Sequence, residues 1–406
     1  GERMLPLTKN INKALLPIDG KAVISHIIEK HSDANEIVIA VNYEKEKIKE
    51  YLDCSYSERN ITYVDVPKIK GHGSGPGYSL ICCREHLNKP FVLSTVDTLY
   101  EGRCPNPSQN WMGISKTNNP SSFCTVHINN SENVITSIID KKDTGTKNAF
   151  IGIAGINDYK LFFDNLINDA TLINGEIQVS NGFKGLIKKK LKAKKFKWFD
   201  TGSLEDYIIA EKNFSKGSES FDFSKKDEYI YFVNNNVIKY FADPKIIANR
   251  VNRAKKLKNL VPIIKFDSTN FYSYSIINGD VLYEKENRFL VSDLLKWLQV
   301  ELWIKKPLTL IQRKKFFKAC HDFYYKKTIK RIKDYYLRFN IADQESFINN
   351  TKIPKVEKIL DLIDFDWLSE GVATNFHGDL QFDNILLTNE KKFKLLDWRQ
   401  DFSGLI

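Results

Sequence analysis

Two stretches of the chain carry residue types at spacings that suit phosphate chemistry. Residues 375–387 read NFHGDLQFDNILL, and the strand-like KKFKLLD that follows ends at Asp397. A carboxylate such as Asp379 can take the proton of an attacking hydroxyl. An amide five positions on, Asn384, and a second carboxylate beyond a strand, Asp397, can hold a divalent cation against phosphate oxygens. His377 is read as a support for the backbone of this loop. The other end opens GERMLPLTKNINKALLPIDGKAVISH. There a glycine turn at Gly1 lets backbone N–H groups approach a phosphate chain, and Arg3, Lys13 and Lys21 neutralise it. A short Gly-x-Arg step is no more than a basic loop before a helix. The full spacing, Gly-x-Arg-x-x-Pro-x-Thr, then Lys, then Pro-x-x-Gly-Lys, is far more specific.

These residues need a frame. EIVIAV (36–41), ITYVDV (61–66) and PFVLSTVD (90–97) read as strands, and EKEKIKEYL (44–52) and GYSLICCREHL (77–87) between them as helices. That rhythm predicts a parallel sheet with helices on both faces. Further strands are expected at 121–128, 133–139 and 148–154, and helices at 156–167 and 203–214. The polar SKGSESFDFSKKDE (215–228) reads as a linker. Beyond it, 229–241 reads as two strands around an Asn turn. A basic helical segment (244–258), two more strands (262–267, 271–277) and an aromatic-rich helical region (290–370) follow. No internal repeat relates the halves. The expected domains are 1–214 and 229–406, joined by 215–228.

The N-terminal stretch resembles the signature of the sugar-phosphate and choline-phosphate nucleotidyltransferases. Asn12 and Ala22 stand where that signature usually has proline, and neither change removes a phosphate-binding group. Three later stretches fit the same family. GSGPGYSL (73–80), with Gly75 and Gly77, resembles the loop that receives base and ribose. STVDTLY (94–100) places Asp97 at the end of a strand, and KWFDTGSLEDY (197–207) supplies Asp200. The resemblance implies that Asp97 and Asp200 together hold Mg²⁺, with Gly1 and Lys21 on the nucleoside triphosphate and Arg3 and Lys13 countering charge at the reacting phosphates. NGEIQVSNGF (174–183) resembles the acceptor segment, with Glu176 as acceptor contact. The implied reaction joins a phosphorylated acceptor to CTP or UTP and releases pyrophosphate.

HGDLQFDNILL…LLDWR resembles the aminoglycoside phosphotransferase and choline kinase branch of the protein-kinase-like fold. The resemblance implies Asp379 as base, Asn384 and Asp397 as Mg²⁺ ligands, Lys239 on the phosphates of ATP, and Ile276 in the hinge that holds adenine. Two departures stand out. Residues 244–258 contain no Asp or Glu to steady Lys239, and FVNNN before it lacks glycine. The fold class expected is therefore α/β: an N-terminal Rossmann-like nucleotidyltransferase sheet, then a C-terminal bilobal protein-kinase-like α+β domain. Consecutive steps would suit such a fusion. A kinase would phosphorylate a small alcohol or sugar with ATP, and a nucleotidyltransferase would activate the product for surface glycan synthesis. The alternative is a nucleotidyltransferase carrying a non-catalytic, kinase-like binding or regulatory module. The acceptor, a sugar phosphate or a phosphocholine-like amine, is not readable from the residues.

The net charge of +11 suits anionic substrates and nucleotides. No nucleic-acid-binding pattern accompanies it, so nucleic acid is not expected as a partner. Much of the excess lies in KGLIKKKLKAKKFKW (184–198), read as a solvated helix face followed by an edge strand. Six cysteines without a CxxC pair suit reduced thiols and a cytoplasmic location. No apolar run reaches the roughly 18 residues of a membrane helix. Opening on one motif and stopping after another, the chain is expected to be a piece of a longer protein. Oligomeric state is not legible.

Overall fold

The computed structural model describes residues 2–142, 145–214, 227–285 and 287–405. Gly1, expected to meet phosphate, and residues 215–226 of the expected linker lie outside them. The chain divides into two compact units, Gly1–Ala242 and Asp243–Ile406.

The first unit runs β1 (Pro17–Ile18), β2 (Lys21–Ala22), α1 (Val23–Lys30), β3 (Ile37–Val41), α2 (Lys45–Ser55), β4 (Ile61–Asp65), α3 (Pro76–Cys82), β5 (Phe91–Ser94), β6 (Thr98–Tyr100), β7 (Trp111–Lys116), β8 (Cys124–Asn129), β9 (Val134–Asp140), β10 (Asn148–Ile156), α4 (Tyr159–Asn168), β11 (Leu172–Ile173), β12 (Glu176–Ile177), α5 (Ser180–Leu186), β13 (Lys192–Lys195), β14 (Trp198–Asp200), α6 (Leu204–Phe214), β15 (Glu228–Val233) and β16 (Asn236–Phe241). It is an α/β unit whose main sheet has the strand order β5-β10-β7-β13-β9-β8. Side chains alternate across that sheet with period two. Met112, Ile114, Ala154 and Ile156 face a core shared with Phe162, Phe163, Phe183 and Leu186 of α4 and α5. Trp111, Ile151 and Ile153 face the opposite side, under Tyr100 and Trp198 of the β6–β14 pair.

The expected parallel sheet is corrected. Parallel pairing occurs in β3–β4 and β7–β13, while β5–β10, β7–β10, β8–β9 and β9–β13 are antiparallel. The reason is connection length: β8 and β9 are joined by a tight turn, which forces antiparallel pairing, whereas a parallel pair needs a crossover. The basic run is corrected too. β13 is not an edge strand, because it lies between β7 and β9 and turns Ala193 into the core. The Asn turn of the next hairpin is as read, with φ of 48° and 60° at Asn234 and Asn235. The hairpin itself groups with the first unit rather than with 229–406. Phe232 donates its N–H to Gly20 O at 2.7 Å, and the Tyr231 and Tyr240 hydroxyls donate to Leu15 O and Asn10 O at 2.6 Å each.

The second unit runs α7 (Pro244–Leu257), β17 (Ile264–Asp267), β18 (Phe271–Ser275) and β19 (Gly279–Val281), then helices Arg288–Glu301, Leu310–His321 and Lys327–Phe339. A hairpin of β20 (Ser346–Ile348) and β21 (Thr351–Ile353) precedes β22 (Ile385–Thr388) and β23 (Phe393–Leu395). β19, β22 and β23 form an antiparallel sheet that carries the loop 376–384 at its start. The Asp243 side chain caps α7 by accepting the Lys245 N–H, and Pro244 sits in its first turn, where no N–H is needed. Among the described residues no helix is long and apolar enough to cross a membrane, and all six cysteines are free.

Phe162 is fully buried, with its ring centroid 5.2 Å from that of Phe183 and 5.5 Å from that of Phe163. Phe162→Ala is expected to cost about 3–5 kcal/mol, read as a lower urea midpoint for the first unit.

Candidate functional site

Topology brings two distant carboxylates together in the first unit. Asp97 lies in the short link between β5 and β6, and β6 pairs with β14 so that Thr98 faces Asp200. The Thr201 N–H donates to Asp97 O at 3.0 Å and fixes the two segments against each other. Lys13, in a one-turn helix capped by the Asn12 side chain, reaches Asp97 Oδ2 at 2.8 Å. Gly202 donates its N–H to Asp200 Oδ1 at 2.8 Å. A Cβ at Gly202 would stand 3.0 Å from Asp200 Oδ1, 3.5 Å from Arg3 Nη2 and 3.7 Å from Asp97 Oδ2. Four residues read from motifs at 3, 13, 97 and 200 therefore converge on one point, and Gly202, the glycine of KWFDTGSLEDY to which no role was given, leaves that point open.

The electrostatics differ between the two acids. Burial disfavours the Asp97 carboxylate, but Lys13 and the Thr95 hydroxyl more than offset this and hold its pKa below the ordinary value. Asp200 is pushed up to about 6 by burial, with Asp97 and Asp206 adding repulsion against the Gly202 N–H and Arg3. Two converging carboxylates fit a divalent cation whose remaining ligands come from phosphate oxygens and water. Among the described residues no three His, Cys, Asp or Glu side chains gather to cage a metal by themselves.

The expected base-binding loop and acceptor segment form one structure. Gly73 donates its N–H to Gly175 O and Ile177 to Ser74 O, each at 2.7 Å. A Cβ on Gly75, at φ +112°, or on Gly77 would come within 2.8 Å of Ile177 O. Both positions thus need glycine because another backbone passes there, a reason independent of any phosphate. Glu176 accepts from Gln178 Nε2 at 3.3 Å. Lys21, expected on phosphate, stands on β2 and is engaged by both Glu29 oxygens at 2.7 and 2.9 Å.

In the second unit both expected acids are held by arginines. Arg399 Nη2 donates to Asp379 Oδ2 at 2.7 Å, and Arg250 Nη1 of α7 to Asp397 Oδ1 at 2.5 Å. Asn384 Nδ2 donates to the backbone oxygen of Asp379 at 2.9 Å. His377 is fully buried, and its Nδ1 accepts the Asp379 N–H at 3.3 Å. Burial lowers the pKa of His377 to about 4, so it is neutral and serves the loop's shape. Ile276 lies half-buried between β18 and β19. Lys239 is buried on β16, which belongs to the first unit, whereas Asp379, Asn384 and Asp397 belong to the second. Arg250 and Arg253 had no place in the motif reading, and Arg399, the last residue of the quoted LLDWR, was given no role there. The one signal for the first two was their position among Ile247, Val251 and Ala254 on the buried stripe of α7.

The pKa of Asp200 sets a pH dependence. Below about 6 its carboxyl is protonated and could not serve a cation. Cation affinity in the first unit is expected to fall by about tenfold per pH unit on the acid side of that value. A paramagnetic Mn²⁺ titration checks this, and Asp200→Asn should flatten the pH profile at weak binding.

No family model matches the chain. The bifunctional protein GlmU of Methanococcus vannielii is 27% identical over 226 residues, covering 53% of this chain and 53% of that protein. The choline-phosphate cytidylyltransferase of Streptococcus pneumoniae is 32% identical over 111 residues, covering 26% of this chain and 44% of that protein. The crystal structure of an apo UDP-glucose pyrophosphorylase superposes with a TM-score of 0.45 at 22% identity, covering 53% of this chain and 94% of the other. The chain spans about half the length of the bifunctional relatives it matches. Over its N-terminal half the chain matches nucleotidyltransferases.

Proposed function

We propose that the first unit is a nucleotidyltransferase that joins a phosphorylated acceptor to a nucleoside triphosphate. The carrying observation is the convergence of Asp97 Oδ2, Asp200 Oδ1 and Arg3 Nη2 beside Lys13. An oxygen of the acceptor's monophosphate forms a bond to the α-phosphorus, the bond from that phosphorus to the bridging oxygen breaks, and pyrophosphate leaves with the electron pair. Both partners are anions, so the barrier is largely charge. Arg3 and Lys13 offset it on the protein side. Asp97 and Asp200 would hold Mg²⁺, which supplies further neutralisation of the phosphates when bound. In this reading the nucleotide and the acceptor bind at the joined loops 73–77 and 175–178, with Glu176 as the acceptor contact and Gly75 and Gly77 at the base and ribose. The reading admits CTP or UTP as the nucleotide. The name of the Streptococcus pneumoniae relative supports a choline-like phosphate as acceptor, and a sugar phosphate rests on the resemblance of the N-terminal motifs.

For the second unit, the kinase-like motif supports ATP-dependent phosphorylation of a small alcohol or sugar, with Asp379 as base and Asn384 and Asp397 at the cation. The chain would then be bifunctional, making a phosphate and activating it for glycan assembly. The second reading is a non-catalytic binding or regulatory module. The arginine on each acid, and α7 without Asp or Glu, favour it.

The test supplies the chain with Mg²⁺, each nucleoside triphosphate, and sugars and amino alcohols with and without phosphate, following pyrophosphate and ADP separately. Pyrophosphate release with one phosphorylated acceptor is expected, and Asp97→Asn should lower its rate on the order of 10²-fold or more. A rate indifferent to Asp97→Asn sinks the nucleotidyltransferase reading. ADP release that Asp379→Asn abolishes would establish the kinase step, and its absence would leave the binding module.

A further inference from the structure

We propose that Arg250 is the resident cation of the second unit and closes Asp397 to a divalent metal. The inference rests on the kinase-like reading of the 375–397 segment. That fold expects an acid on the helix after the lysine strand and a metal on the carboxylate after the loop. Here the helix supplies a guanidinium instead, and the guanidinium sits on that carboxylate at 2.5 Å. The residues present do not fit the expected metal.

Three observations make the pairing part of the fold. The Arg250 side chain is 2% exposed, so its charge has no route to bulk water while α7 stays in place. Trp398, also fully buried, donates its indole N–H to Arg250 O at 2.8 Å and ties the residue after Asp397 to the same helical turn. One turn on, Arg253 donates to the backbone oxygens of Arg399 and Phe376 and stacks 4.0 Å from the centre of the Phe376 ring. Helix α7 thus holds the start of the loop that carries Asp379 and Asn384 and the segment after β23 that carries Asp397. A metal on Asp397, whose side chain is 27% exposed, would have to compete with the buried Arg250 guanidinium for that carboxylate and weaken the compensation of a charge held in the core. A guanidinium does not deprotonate to relieve this. The first unit differs in kind. Its Lys13–Asp97 pair is 26% and 30% exposed, and a flexible ammonium can turn aside into water when a metal arrives.

The test is Mn²⁺ binding by the full chain, followed by electron paramagnetic resonance, with Asp97→Asn and Asp200→Asn removing the first unit's site. With Arg250 intact, no Mn²⁺ binding that depends on Asp397 is expected, with or without ATP. Arg250→Met keeps an apolar stem and removes the charge. It should raise Mn²⁺ affinity by at least about tenfold, and Asp397→Asn should abolish that gain. Arg250→Lys, which keeps the charge, should show no gain. Asp397-dependent Mn²⁺ binding with Arg250 intact overturns the proposal while leaving the kinase-like reading standing, and needs no Arg250 variant to fold. A folded Arg250→Met chain that binds no Mn²⁺ overturns both, because the loop then holds no latent metal site.

Discussion

Asp97 and Asp200 repel each other, and the first unit is arranged to keep them together all the same. Apart, they could share no cation. Together and largely out of water they make a second charge costly, and burial with its acidic neighbours raises the pKa of Asp200 while Lys13 holds that of Asp97 down. Lys13 at 2.8 Å, Arg3 beside Gly202 and the Gly202 N–H lower that cost without removing the charge. The β6–β14 pairing makes the arrangement stiff, because register alone sets Thr98 opposite Asp200. The sheet beneath, with its core of Phe162, Phe183 and Trp111, is the support that lets this repulsion persist.

Around that pair, backbone approach matters as much as charge. The loop at 73–77 and the segment at 175–178 touch main chain to main chain, which only glycine at 75 and 77 permits. Any ligand that orders one loop therefore acts on the other. Gly202 plays a related part, since a side chain there would fill the space into which both carboxylates point.

The second unit reverses the charge logic. Where the first leaves two carboxylates facing a shared space, the second places an arginine on each acid. The same motif letters, Asp379, Asn384 and Asp397, can belong to a metal site or to an internally neutralised loop. What separates the two is a helix more than a hundred residues upstream. The pairing of Arg250 with Asp397 spans a separation of 147 in the chain.

Local signals were legible in the sequence. Spacing picked out Arg3 and Lys13, the Asn234–Asn235 turn and the loop around His377, the family resemblance added Asp97 and Asp200, and periodicity found many strands and helices of the first unit but not β7 (Trp111–Lys116) at the middle of its main sheet. Each rests on residues near one another in the chain, where period, turn chemistry and motif spacing act. Pairing was not legible. Whether β13 lies at an edge or inside the sheet, whether strands run parallel, and which unit the 228–241 hairpin joins depend on hydrogen bonds between distant segments. Nor could spacing reveal that Lys21 is taken by Glu29, that Gly75 and Gly77 yield to Ile177, or that Arg250 takes Asp397. The sequence by itself determined which chemical groups are present and which turns and helices carry them. Only the tertiary structure decided which charges meet, because a long cationic side chain takes whatever carboxylate the packed chain brings within reach.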